Sequence, residues 1–373
     1  MKRTSWHRLL SLLLVLALVG AACGSDGDEP DTADDGATDE PGSSTTIGPT
    51  VTLPEPERPI EPLTGRDLGD EALLDTAAFA TKVDNDDLAR PQNGLTRADI
   101  VFEMLIENNT SRFLAVFHSD IPDETGPTRS ARSSDIDVLA ALNTPVFANA
   151  GSNSGVTSEL RAAEAAGVMA WVDVDATGGA TSFRDSERPG PHNLIAVPSA
   201  AAEAAGGEPG TPDPILAYRD PGDVGDAGGG GGIELTIGTR NRAVFLWGGG
   251  LEGWGRYQND TPHLDHDGVQ VAPPNLVVLE TEYGTSAADA ASPQARTVGT
   301  GKAVIARNGE ILEGTWTRGA NTDPFQLTDA DGELILLDPG QTWIGLARPG
   351  DYKVLTPEEA VLRALALAPS SDG

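Results

Sequence analysis

The chain has 373 residues and one cysteine, and its 57 acidic against 25 basic residues give a formal charge of −32 at neutral pH. So negative a chain disfavours nucleic acid and anionic membrane surfaces as partners. A lone cysteine excludes an internal disulfide, so the folded part must rest on its hydrophobic core.

Lys2, Arg3 and Arg8 precede an apolar run from Leu9 to Val19. That run is shorter than the roughly 20 residues a membrane span needs and reads as the core of a signal peptide over residues 1–22. It ends in "GAAC", which resembles a bacterial lipobox with Cys23 as the lipidated first residue of the mature chain, although Gly20 stands where Leu or Val is usual. Two acyl chains on Cys23 would suffice for stable anchoring at the outer face of the cytoplasmic membrane. The alternative is secretion after cleavage near Ala22. Residues 23–62 are Asp, Glu, Thr, Ser, Gly and Pro almost throughout, the composition of a disordered acidic tether.

From residue 63 strand-length apolar runs begin, at 77–83, 98–107 and 112–119. The polar break "NNTS" between the second and third predicts a β-hairpin. "SSDIDVLAAL" (133–142) reads as a helix, 144–150 as a strand, 157–167 as a helix closed by Gly167, 168–174 as a strand and 198–207 as a short helix. Strand, helix and strand on short links predict an α/β domain with a mixed sheet over 63–221. The glycine-rich stretch 222–232 reads as a linker. Beyond it "IELTI", "AVFLW", "NLVVLET", "GKAVIAR", "EILEGTWT" and "TWIGLA" predict an antiparallel β domain over 233–350, a small barrel or sandwich. Asn308-Gly309 between two of these runs signals a type I′ hairpin. Residues 351–373 hold a last helix, with Thr356 and Glu359 at capping-box spacing, and a tail.

Familiar catalytic signatures are absent: "GSNSG" (151–155) lacks a central serine, and the sequence holds neither a Walker loop nor an H-E-x-x-H motif. The arginines are the better lead. Arg112, Arg129, Arg132, Arg184 and Arg188 lie in or beside loops of the first domain, with His118, His192 and Asn193. Guanidinium forks bind carboxylate or phosphate with paired bonds, and histidine moves protons near neutral pH. Against this, each arginine can pair with a structural acid. Glu103 sits mid-strand where a lone carboxylate is costly. If Glu107 faces Arg112 across the hairpin, then Glu103, Arg112 and His118 share one sheet face, with Asp84 at the end of the first strand able to join.

"KVDND…RPQNGLTRADIVFEMLIE…SRFLAVFHS…GPTRSAR" followed by "FRDSERPGPHNL", and later "RYQNDTPHLD", "GTGKAVIARNGEILEGTWTR" and "LDPGQTWIGL", resemble the YerB-like lipoprotein family over roughly residues 62 to 347. The resemblance implies lipid anchoring and a plan of two domains of unknown function, and brings no established activity. Two of its words fall on Arg129 to Arg132 and on Pro191 to Asn193. "HLDHDG" (263–268) offers His263, Asp265 and Asp267 as weak metal candidates, or else a plain turn. No cofactor is expected. Trp247, Trp254, Trp316 and Trp343 suit a β-domain core better than a sugar-stacking surface.

The leading expectation is an envelope protein that binds an anionic or polar ligand (a small molecule, a cell-wall fragment or a partner's acidic segment) through Arg112, Arg129, Arg132, Arg184, His192 and Asn193. Glu103 or Asp84 would hold the arginines. Two alternatives stand beside it: a glycan or phosphodiester hydrolase or transferase using His192 with Glu103 or Asp84, and a scaffold for other envelope proteins.

Overall fold

Residues 53–367, apart from 57, 224 and 226, are described by a computed structural model. The signal peptide, Cys23 and the tether up to residue 52 lie outside the described residues. The run "IVFEMLI", apolar but for Glu103, forms a strand buried on both faces, and so do its neighbours. In chain order the first half gives β1 (Phe79–Val83), β2 (Ile100–Ile106), β3 (Thr110–Phe117), β4 (Val146–Asn149) and β5 (Ala170–Asp173), then the short pair β6 (Ser182–Arg184) and β7 (Leu194–Ala196). Helices α1 (Ser133–Leu139), α2 (Ser154–Ala165) and α3 (Pro198–Ala204) intervene. The second half gives β8 (Gly232–Leu235), β9 (Ala243–Trp247), β10 (Trp254–Gln258), β11 (Thr261–Pro262), β12 (Asn275–Glu280), β13 (Tyr283–Thr285) and β14 (Pro293–Ala295). It continues with β15 (Gly299–Arg307), β16 (Glu310–Arg318), β17 (Gln326–Thr328), β18 (Thr342–Ala347), β19 (Tyr352–Leu355) and α4 (Pro357–Leu367). Strands β6, β7, β10, β11, β13, β14, β17 and β19 were not foreseen: most are two or three residues long, and "WGRYQ" and "YKVL" lack an apolar run.

Ten strands share one sheet in the order β17-β16-β15-β12-β18-β2-β3-β1-β4-β5. The first half supplies a mixed set: β2, β3 and β1 pair antiparallel, and β1, β4 and β5 parallel. The second half adds an antiparallel meander, β12-β15-β16-β17, and joins the first through parallel β18 and β2. The two sequence halves thus share one sheet. A five-stranded antiparallel sheet, β11-β10-β9-β8-β19, covers one face of it.

Side-chain alternation divides the core. Phe102, Met104, Leu114 and Ile344 face α1 and α2, whose Val138, Leu139, Val156 and Leu160 pack on them. Val101, Phe113, Val278 and Trp343 face the second sheet, meeting Phe245 and Trp254. Trp343 and Trp254 are fully buried and Trp316 nearly so, so these tryptophans are core. Helix α4 closes the outer face of the second sheet through Ala360 and Leu367, and its Thr356/Glu359 capping box forms as expected.

The glycine-rich stretch is docked. Gly228 and Gly230 donate to the carbonyls of Asn308 and Gly309 at 2.8 and 3.0 Å, and a Cβ on Gly228 would lie 2.3 Å from the Gly309 oxygen. Asn308 and Gly309 both take positive φ, 40° and 72°, the type I′ geometry that pairs Arg307 with Glu310. Within the predicted tether, Ile60 bridges to Asp67 and Arg58 pairs with the same aspartate at 3.0 Å. Among the described residues no helix is long and apolar enough to cross a membrane.

Candidate functional site

Strand alternation decides which of the predicted residues can meet. Arg112 stands opposite Met104, whereas Glu103 stands opposite Phe113. Glu103 and Arg112 therefore point to opposite faces of the sheet, which corrects the expectation that they share one. Glu103 is held from the second sheet instead: Arg256 reaches it at 3.1 Å, with Ser111 Oγ at 2.7 Å and Trp343 Nε1 at 3.2 Å. His118 also lies elsewhere, its Nε2 bonding the carbonyls of Leu73 and Thr76 at 3.0 and 3.2 Å.

A polar cleft of about 500 Å³ opens where β1 ends and β3 begins. Arg112, Arg129, Arg132 and His192 line it, with Asp84 and Glu107. Three sequence words converge there. From "KVDND" comes Asp84, which is 4% exposed. From "RSAR" comes Arg129, whose Nη1 lies 3.4 Å from Asp84 Oδ2 and donates to the carbonyl of Pro191 at 3.0 Å. From "PHN" comes His192, whose Nδ1 bonds Asp84 Oδ2 at 2.7 Å.

Arg132 forms a two-pronged pair with Glu107, Nε to Oε1 at 2.6 Å and Nη2 to Oε2 at 2.5 Å. Ser292, from the second half, also donates to Glu107. Burial alone would raise the Glu107 carboxyl, but Arg132 and Ser292 outweigh it and hold it down at about 2. A depressed carboxyl stabilises the fold above its unfolded value and loses that contribution as pH falls. Glu107→Gln is therefore expected to cost about 2–3 kcal/mol at neutral pH. In urea unfolding the gap to the parent closes as pH drops from about 4.5 toward about 2.

Arg112 differs from its neighbours. It is 8% exposed and forms no ion pair with any described acidic residue. Its Nη1 donates to the Ser130 carbonyl at 3.1 Å, an oxygen that Arg132 Nη1 also uses at 3.3 Å. Its Nε is buried without a hydrogen-bond partner among the described residues. Burial, with Arg132 and Arg129 nearby, outweighs the opposing pull of Asp84 and Glu107 and brings the guanidinium down to about 10, still charged at neutral pH. A buried cation short of partners is costly, and an anion in the cleft would relieve it.

Arg184 does not line the cleft. It is exposed, and bonds Asp175 at 2.7 Å and Asn193 Oδ1 at 3.1 Å. Asn193 serves as a brace, its Nδ2 donating to the Asp185 carbonyl at 3.2 Å. The residues of "HLDHDG" are used internally. His263 bonds Gln92 at 2.8 Å, and Asp265 accepts from the backbone of Gly94 and Thr96 at 3.0 and 2.8 Å. Asp267 caps its own turn through Val269 N. Asn85, Ser111, Arg240 and Asn241 are also in the lining, with Asp86 and Asp87 beside Asp84, and none of these was anticipated. Asn85 sits inside the "DND" word, but its inward aim depends on Gln258 and Asn241, which lie more than 150 residues away. A larger groove, about 670 Å³ and lined by Leu53, Pro54, Leu216 and Tyr218 among others, gathers no comparable cationic cluster.

Residues 63–210 match the family described as "Protein of unknown function (DUF3048) N-terminal domain", and residues 233–344 match the corresponding C-terminal domain. The "Putative lipoprotein YerB" of Bacillus subtilis (strain 168) is 26% identical over 309 residues, spanning 80% of this chain and 89% of that protein. The crystal structure of YerB protein from Bacillus subtilis matches with a TM-score of 0.69 at 22% identity, covering 80% of this chain and 100% of that one. That likeness shows the fold. With both of its domains present in order, the chain belongs to the DUF3048 family.

Proposed function

We propose that this protein binds an anionic envelope ligand in the cleft built by Arg112, Arg129, Arg132 and His192, and is held at the outer face of the cytoplasmic membrane through a lipid on Cys23. The acidic tether sets the cleft away from the membrane. One observation carries the reading: Arg112 is a buried guanidinium with no ion pair to a described carboxylate, in a cleft with three further arginines. Arg256 is matched by Glu103 and Arg219 by Asp338. Arg318, likewise buried, is satisfied by the carbonyls of Asp137, Asn321 and Asp323, whereas Arg112 has one carbonyl and a bare Nε among the described residues. The leader resembling a lipobox and the lipoprotein name of the relative support the anchor. Phosphate, sulfate and carboxylates all suit guanidinium forks, so the ligand is defined by charge first.

Thermal unfolding of the full chain in detergent tests this. A ligand bound by the native state alone must raise the melting temperature by mass action, and phosphate or sulfate is expected to do so in the parent. Arg112→Met is expected to abolish the shift. The same substitution should leave stability unchanged or raise it by up to about 1–2 kcal/mol, because it removes an unpaired buried charge kept for function. Loss of more than about 3 kcal/mol, with no anion effect in the parent, would make the arginine a structural member and overturn the reading.

A further inference from the structure

The same cleft holds the parts of an acid–base device, and we infer that it hydrolyses a phosphodiester of the ligand class it binds, an inference that rests on the binding reading above. Asp84 Oδ2 accepts from His192 Nδ1 at 2.7 Å. In the neutral ring this bond selects the tautomer with its proton on Nδ1, which leaves the Nε2 lone pair without a described partner. Both members of the dyad are held in place. Asp84 Oδ1 accepts from Asp86 N at 3.2 Å, and Arg129 lies 3.4 Å from Oδ2. The backbone of His192 donates to the Pro189 carbonyl at 2.9 Å, while the Pro191 carbonyl is taken by Arg129. A base oriented by a carboxylate, beside donors for developing negative charge, is the arrangement acyl and phosphoryl transfer both require. Several guanidinium groups in one cleft favour the phosphoryl case, where charge spreads over several oxygens.

The nucleophile follows by elimination among the lining hydroxyls. Ser111 Oγ donates to Glu103 and Thr110 Oγ1 to the Glu107 carbonyl, at 2.7 and 3.1 Å. Neither is free to be activated, so water attacks. Its oxygen forms the new bond to phosphorus, and its proton passes to His192 Nε2. The bond from phosphorus to the leaving alkoxide breaks, and the alkoxide takes the proton back from Nε2. One water is consumed, and a phosphomonoester and an alcohol are released. Arg112 and Arg129 stabilise the non-bridging oxygens. His192 is the catalytic residue, and Asp84 positions it.

The test follows release of nitrophenolate from bis(4-nitrophenyl) phosphate by the full chain in detergent. Melting curves with and without inorganic phosphate are taken on the same samples. Turnover above the buffer blank is expected, with a 10²–10⁴-fold loss of kcat in His192→Gly that added imidazole restores, an effect no purely structural role produces. Asp84→Asn should lower kcat while leaving KM within a few-fold. Absence of turnover overturns the inference, as does a His192→Gly variant as fast as the parent. If phosphate still raises the melting temperature in an inactive parent, only the hydrolysis falls. If it does not, the binding reading falls with it.

Discussion

Arg256→Met is expected to cost about 3–5 kcal/mol of unfolding free energy, the range for leaving a buried charge without its partner. Arg256 is fully buried on β10 and lies 3.1 Å from Glu103 on β2. Burial pulls the guanidinium below its ordinary value, and Glu103 pulls it back. The rings of Phe113, Phe245 and Trp343 surround it at 5.2, 5.5 and 4.7 Å. Its Nη1 also donates to Gln258 Oε1 at 2.6 Å and bonds His263 Nδ1 at 2.5 Å. His263 sits well below the usual histidine value because it is buried beside Arg256 and Arg90, so the ring is neutral and accepts at Nδ1. Methionine matches the stem but satisfies none of these acceptors, and Glu103 keeps only neutral donors.

The double variant Arg256→Met/Glu103→Leu removes both charges. It is expected to recover about half of the single loss rather than add to it. Recovery stays partial because Gln258 and His263 still lack their donor. Urea unfolding of the two single variants and the double closes the cycle. Strictly additive losses would mean that the two side chains do not act as a pair. Asn85 and Ser111 bond Glu103 and also line the cleft, so Arg256→Met should blunt the anion response as well.

That pair marks the limit of what the chain discloses about itself. Local signals were legible: the "NNTS" break gave the hairpin of β2 and β3, Asn308-Gly309 the turn before β16, and Thr356 with Glu359 the start of α4. Apolar runs marked most of the strands because burial on both faces leaves a continuous hydrophobic word. The need of Glu103 for a partner was legible too, since a mid-strand carboxylate cannot stay bare. Its identity was not. Arg256 lies 153 positions away, and only the stacking of the two sheets brings it there. The nearer candidate, Arg112, fails on a parity that depends on the hairpin register, set by the positive φ of Asn108 and Asn109. Three of the four cleft arginines and His192 were singled out by residue type. The meeting of Arg129 and His192 at Asp84 follows from the fold, because β1 and the "PHN" segment are joined by no local signal. Likewise the parallel pairing of β18 with β2, which merges the halves into one sheet, has no sequence signature shorter than the fold itself.

Asp135→Asn is the second large effect, and its pH dependence identifies its cause. Asp135 and Lys82 are both fully buried beneath the cleft, with Nζ and Oδ1 2.7 Å apart. Asp135 Oδ2 also accepts from Arg132 N at 2.7 Å, capping α1. Asparagine can keep that cap, so what the substitution removes is charge. Lys82 is then left buried, with Arg112 and Arg132 close enough to repel it, and the expected loss is about 3–5 kcal/mol at neutral pH. Lys82→Met should cost less, because Asp135 retains its cap bond and the same two arginines stand nearby. Burial already pulls Lys82 below its ordinary value of 10.5 in the parent, with Asp135 opposing it. Without Asp135 the lysine falls further. A lysine that is depressed in the fold binds fewer protons there than in the unfolded chain, so stability rises with pH between the two values. The gap between Asp135→Asn and the parent should therefore narrow as pH is raised from 7 toward about 10, and Asp135→Asn combined with Lys82→Met should show no such narrowing. A gap that stays constant with pH would show that Lys82 binds its proton alike in the parent and the variant, and that the loss comes from packing and hydrogen bonding alone.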